Sequence, residues 1–260
     1  MSLAQKSFAL IGASALLATS LACRKQSRNR LDESKFPQMV LWAWERPEDL
    51  RALDAKRYAV AFLAQTLTLK GDEVIQSPRH QPLQVTPDTK LMAVTRIESS
   101  RTTGEGAALS DAQRQKVAAL VMKTLQLDRV AAIQIDFDAA ASERDFYRAL
   151  LQDLRRQLPD NVALSMTALA SFCIGDRWLR DLPVDEAVPM IFRMGADDRN
   201  IKNMLSGGGD FREPLCLRSY GVALDEPPGF QRDPSRRVYI FNSHPWNETK
   251  IAALQQSWLK

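Results

Sequence analysis

The chain has 260 residues, 45% hydrophobic and 25% charged, which is enough for one large α/β domain and excludes disorder by composition. Its 35 basic and 31 acidic residues leave a formal charge of +4 at pH 7, and no Lys/Arg stripe is interleaved with aromatics, so nucleic acid is excluded as the expected partner.

Lys6 and Ser7 precede an apolar run from Phe8 to Ala22 that is too short and too rich in small residues for a membrane span. It reads as a signal peptide over residues 1–22. Ser20-Leu21-Ala22-Cys23 resembles the bacterial lipoprotein box, with Ser20 where that box prefers Leu, which implies acylation of Cys23. Arg24 stands where an Asp is associated with inner-membrane retention, so the resemblance implies an outer-membrane lipoprotein. Ordinary cleavage after Ala22 would give a periplasmic protein with a free Cys23. Residues 23–36 are expected to be a lipid-anchored tether whose Arg24, Lys25, Arg28 and Arg30 face anionic head groups, and 37–260 a single domain. After export Cys173 and Cys216 allow one bridge. Their expected places, near opposite ends of strands roughly 15–20 Å apart, point to two thiols.

Met39 to Trp44 read as strand one, and Pro47 suits the first turn of a short helix over 45–50. Tyr58 to Ala64 read as strand two. The alternation after Thr66 turns at Lys70-Gly71-Asp72, and Pro78, Pro82 and Pro87 forbid a crossover helix, so a hairpin or loop over 65–90 replaces helix two. Leu91 to Glu98 form strand three, with Val94, Arg96 and Glu98 on one face. Ser110 to Gln113 form a capping box for a helix carrying Val117, Leu120, Val121 and Leu125.

Val130 to Asp138 form strand four, in which Ile133, Ile135 and Phe137 alternate with Gln134, Asp136 and Asp138. A strand between two helices belongs to a parallel sheet covered on both faces. Asp136 and Asp138 therefore point into a barrel mouth or crevice, where α/β enzymes place their chemistry. Ser142 to Asp145 are expected to cap the next helix, which ends at Pro159. Strand five over 162–168, a brief helix over 176–182, strand six over 187–194 and a helix through Leu205 follow. Strand seven over 217–223, a loop with helix seven reduced, strand eight over 237–242 and a last helix from Asn247 with Ile251, Leu254 and Trp258 on one face complete the chain. Eight strands alternating with helices fit a (β/α)8 TIM-like barrel; a doubly wound open sheet is the alternative, without the Gly-rich loop that usually accompanies it.

Ala132 to Asp138, Leu164 to Ala170, Val184 to Gly195 and Tyr220 to Pro227 resemble a bacterial family, domain of unknown function 3142, over nearly the whole chain after the leader. Strand four is more distantly similar to the signature strand of chitinase-like glycoside hydrolases, where three acidic residues at two-residue spacing end in a Glu general acid. That resemblance puts Gln134 at the first inward Asp, Asp136 at the Asp that orients the acetamido group and Asp138 at the acid. Phe192 stands where those enzymes carry a Tyr hydroxyl. The resemblance implies a barrel with a sugar cleft.

Mutual repulsion and partial burial of Asp136 and Asp138 would raise one pKa, and the position nearer the mouth assigns the retained proton to Asp138, with Asp136 ionised. The alternative is a polar interior in which they pair with Arg96 or Arg193. Glu98 and Glu45 are candidate second carboxylates, or rim partners of Arg96 and Arg46. Trp44 and Trp246 are candidates to stack on sugar rings, and Asn242 and His244 follow strand eight at the same end. Two histidines exclude a multi-histidine metal cluster, and no cofactor is expected. These residues support a glycan-processing enzyme tethered by lipid to a membrane. A non-catalytic polysaccharide-binding barrel is the alternative, and a metal-dependent phosphoesterase built on Asp136, Asp138 and His244 is the third reading.

Overall fold

The structure, a computed structural model, describes residues 30–31, 35–101 and 105–257. The expected signal peptide, Cys23, most of the expected tether and Trp258 lie outside the described residues.

Eight parallel strands pair in chain order: β1 (Met39–Ala43), β2 (Tyr58–Lys70), β3 (Leu91–Ser99), β4 (Val130–Asp136), β5 (Ala163–Leu169), β6 (Glu186–Met190), β7 (Ser219–Ala223) and β8 (Arg237–Phe241). Because β1 pairs with both β8 and β2, the sheet closes into a (β/α)8 barrel. Among the described residues four α-helices lie outside it, α1 (Asp111–Lys123), α2 (Arg144–Gln157), α3 (Asp198–Ser206) and α4 (Glu248–Ser257). In place of a helix after β2, residues Glu73–Pro78 fold back antiparallel on its end through a turn at Gly71, whose φ of 50° suits a residue without Cβ. Between β7 and β8 the chain forms no helix.

Strand alternation sorts the side chains. Leu41, Ile133, Ile135, Met166 and Ile240 face the helices, whereas Val40, Trp42, Met92, Val94, Val188 and Tyr239 fill the interior. A polar chain crosses that interior. The Trp42 indole donates to Gln134 Oε1 at 3.0 Å, Gln134 Nε2 to Ser165 Oγ at 3.0 Å, and Ser165 Oγ to Glu186 Oε1 at 3.1 Å. The Tyr239 hydroxyl donates to the same Glu186 oxygen, and Arg237 Nη1 lies 3.5 Å from the other. Arg237 also donates to the carbonyls of Leu31, Phe36 and Pro37, and the Leu31 and Phe36 side chains pack inside the barrel. Leu31 and Phe36, from the stretch read as a tether, thus close the N-terminal end of the barrel.

Three expectations are corrected. No helix follows β1: Glu48 and Leu50 donate to Pro82 O and Gln84 O in a short parallel pairing, which overrides the Pro47 signal. Ser142 does not cap α2. It sits within a 3-10 turn, Ala141–Glu143, while Glu143 accepts from Ala140 N at 2.6 Å. Cys173 and Cys216 form a disulfide, with Cα atoms 5.9 Å apart. Distance along a strand misjudged them because both lie in 3-10 turns outside the strands. Arg212 N and Glu213 N donate to Cys173 O at 2.9 and 3.2 Å, folding the approach to β7 back against the exit from β5.

The bridge spans a sequence separation of 43, for which lost loop entropy corresponds to about 4 kcal/mol. Replacing both cysteines by serine should lower unfolding stability by about that amount in a denaturant titration, and the change should match that caused by reductant in the wild type.

Candidate functional site

Inward alternation continues past the strand ends and builds the barrel mouth. Trp42 from β1 and Trp44 just after it, Val94 and Arg96 from β3, Asp136 at the end of β4 and Asp138 beyond it, Leu169, Met190, Phe192, Arg193 and Phe241 line a cavity of about 400 Å³. A side cleft of about 150 Å³ shares Arg96, Asp136 and Asp138 and adds Glu98, Ser99 and Arg101. The resulting groove is aromatic at one end and charged at the other.

Asp136 lies at the junction. The register that sets Gln134 opposite Ser165 brings Thr167 beside Asp136, and its hydroxyl donates to Oδ1 at 2.8 Å. Loss of hydration raises the Asp136 pKa; the Thr167 bond opposes this, the Asp138 charge adds to it, Arg96 opposes it and Glu98 adds to it, and the net shift is upward. The sequence expectation gave the retained proton to Asp138 and left Asp136 ionised; in the structure the proton affinity of Asp136 is raised. Asp138 is exposed at the rim.

Both arginines of the cavity rest on aromatic rings. Arg96 lies 5.3 Å over Trp44 with Nε 2.8 Å from Glu98, and Arg193 lies 5.8 Å over Phe241 with Nη2 3.7 Å from Asp225. Arg193 has a φ of 51°, and its backbone N–H donates to Glu226 Oε2 at 3.1 Å, which offsets part of the cost of that conformation. Phe192 stacks on Phe241 with centroids 5.5 Å apart, and Trp44 meets Phe241 edge-on at 5.9 Å.

The structure thus gathers Asp136, Asp138, Arg96, Glu98, Trp44 and Arg193. Glu45 is exposed and lines neither cavity. Asn242 is buried in its own turn, accepting from His244 N at 3.3 Å. His244 is exposed, its Nδ1 3.0 Å from Ser243 Oγ. Trp246 is 3% exposed, with Nε1 donating to Trp42 O at 2.8 Å and its backbone N–H to Glu48 Oε2 at 2.7 Å. Those bonds hold the cavity floor from beneath, so the structure places Trp246 in the core instead of at a sugar-stacking position. Among the described residues no group of three or more His, Cys, Asp and Glu gathers as a metal site, and Asp136, Asp138 and His244 do not converge. Thr167, Leu169, Phe241 and Arg101 were not anticipated. Thr167 was accessible from the alternation Ala163, Ser165, Thr167 set in register with β4, whereas Arg101 follows from a loop whose path no periodicity specifies.

Fold and mouth together define a closed (β/α)8 barrel with an aromatic and charged cavity at the C-terminal ends of its strands. Residues 87–185 match the model of a family described as a domain of unknown function (DUF3142). The catalytic domain of a family GH18 chitinase from the fern Peteris ryukyuensis is similar with a TM-score of 0.51 at 11% identity, over 85% of this chain and 98% of that one. The spore cortex-lytic enzyme SleL of Bacillus cereus gives 0.45 at 16%, over 73% of this chain and 52% of that one. The chitinase domain of the spore coat protein CotE from Clostridium difficile gives 0.42 at 13%, over 78% and 64%. This chain therefore spans about half the length of the SleL chain. The likeness to the fern domain establishes the barrel fold. No curated protein matches the chain.

A carboxyl whose folded pKa is raised favours the fold below its unfolded pKa, near 4, and that contribution is lost as pH rises through the folded value. Asp136→Asn keeps an acceptor for Thr167 and removes the ionisation. It should melt above the wild type at pH 7, with the difference closing below about pH 4; calorimetric scans across that range measure it.

Proposed function

We propose that the protein is an exported glycan-processing enzyme, a hydrolase or lyase of an envelope or extracellular polysaccharide, whose chemistry is carried by Asp136 and Asp138. The observation that carries this reading is a deep carboxyl of raised proton affinity on the floor of an aromatic-walled cavity at the C-terminal end of a barrel. Glycosidic cleavage needs a proton for the leaving oxygen and negative charge near an oxocarbenium-like centre. Asp136 supplies the first. Asp138, at the rim, faces the second. Trp44 and Phe241 offer apolar surface to the sugar ring, and Arg96, Glu98 and Arg193 offer hydrogen bonds to its hydroxyl groups. The chitinase-like fold supports a carbohydrate partner.

The second reading, a non-catalytic polysaccharide-binding barrel, is favoured by Gln134 and Phe192. Gln134 is locked into the interior hydrogen-bond chain, and Phe192 is stacked on Phe241, so neither presents an acid or hydroxyl to the cavity.

Export is supported by the leader-like run and by the Cys173–Cys216 disulfide, which suits an oxidising compartment. Cys23 is the proposed acylation site of an outer-membrane lipoprotein, with a periplasmic protein the alternative. Leu31 and Phe36 enter the barrel at the end opposite the mouth, so an anchor at Cys23 leaves the mouth facing away from the membrane.

Incubated with a panel of bacterial polysaccharides, the protein should release new reducing ends or unsaturated ends from at least one. Asp136→Asn should lower that rate by at least roughly 100-fold while binding persists, since general acid catalysis contributes about that much. Binding without cleavage by the wild type selects the second reading. Metabolic labelling with a fatty acid should mark the wild type and spare Cys23→Ser; equal labelling removes the anchor.

A further inference from the structure

We propose that the cleft takes a glycan bearing free amino groups, with a sugar ammonium held by the Asp138 carboxylate. This rests on the carbohydrate reading of the same cleft and adds the charge class of the substrate.

The inference comes from the charges lining the groove. Arg96 is paired with Glu98 at 2.8 Å, Arg101 with Glu143 at 3.6 Å and Arg193 with Asp225 at 3.7 Å, so each guanidinium already has a countercharge. Asp136 is answered by the Thr167 hydroxyl. Asp138 differs: it lines both cavities, is exposed, and among the described residues its carboxylate has no hydrogen-bond or ion-pair partner. An incoming ammonium would complete that pairing with a charge-assisted hydrogen bond. An anionic sugar would meet Asp138 together with Glu98, and the Arg96 charge it could reach is already partly neutralised by Glu98.

An acetylated amine carries no charge, so it gains no ion pair from Asp138 and would meet that carboxylate only through a neutral donor.

The test is calorimetric titration of the full chain at low salt, at a pH where the sugar amine is protonated. The ligands are glucosamine oligomers, N-acetylglucosamine oligomers and uronic acid oligomers of equal length. The glucosamine oligomer should bind at least roughly tenfold tighter than either of the others, and the preference should shrink with added salt and vanish in Asp138→Asn. Because Asp138 is exposed, that variant keeps its fold, which a melting curve verifies. Equal or tighter binding of the acetylated or anionic oligomer overturns the proposal and leaves the carbohydrate reading standing. So does a preference that survives in Asp138→Asn. Failure of all three oligomers to bind overturns both.

Discussion

A carboxylate enclosed by a barrel must be answered from inside it. Glu186 is 1% exposed, and Ser165, Tyr239 and Arg237 answer it. Removing one partner from such a group leaves an uncompensated buried charge, at a cost of about 3–5 kcal/mol. The same set of bonds reaches both ends of the molecule. Downward, Arg237 fastens the backbone at Leu31, Phe36 and Pro37. Upward, Ser165 and Gln134 fix the indole of Trp42, whose carbonyl is held in turn by Trp246. Plug, axis and cavity floor are one hydrogen-bonded unit, and a fully satisfied polar network of this kind specifies a single packing.

A rigid floor matters because of what stands on it. Asp136 occupies the transition from the dry interior to the wet mouth: one pleat deeper is Gln134, fully buried and neutral, and one pleat higher is Asp138, exposed. The gradient along three alternate residues, from within β4 to just past its end, separates the roles of the two carboxylates. Burial raises the proton affinity of Asp136, and Thr167 holds its orientation. The arginines contribute shape more than net charge, since each lies on an aromatic ring and against a carboxylate.

Barrel, hairpin insertion and mouth placement of Asp136 and Asp138 were legible in the sequence, because period-two alternation and capped helices report backbone geometry directly. The inward face of β3 was legible for the same reason. Local signals failed where tertiary partners decide. Pro47 announced a helix, but the backbone at Glu48 pairs with the stretch after the hairpin. Trp246 has the residue type of a sugar platform, but its N–H groups serve Glu48 and Trp42. Cys173 and Cys216 looked distant along the strands, and turns outside the strands brought them together. The upward shift of Asp136 also depends on its setting among neighbours from β3 and β5, which β4 alone does not encode.

The central claim is that Asp136 is a proton-holding group within a sugar cleft. Carbon-detected NMR of the aspartate side chains, titrated with pH and then with an oligosaccharide that the protein binds, tests it most directly. The Asp136 carboxyl should titrate above the ordinary aspartate range, and its resonance should move when the oligosaccharide is added. An ordinary titration together with a resonance unmoved by bound sugar would contradict the account.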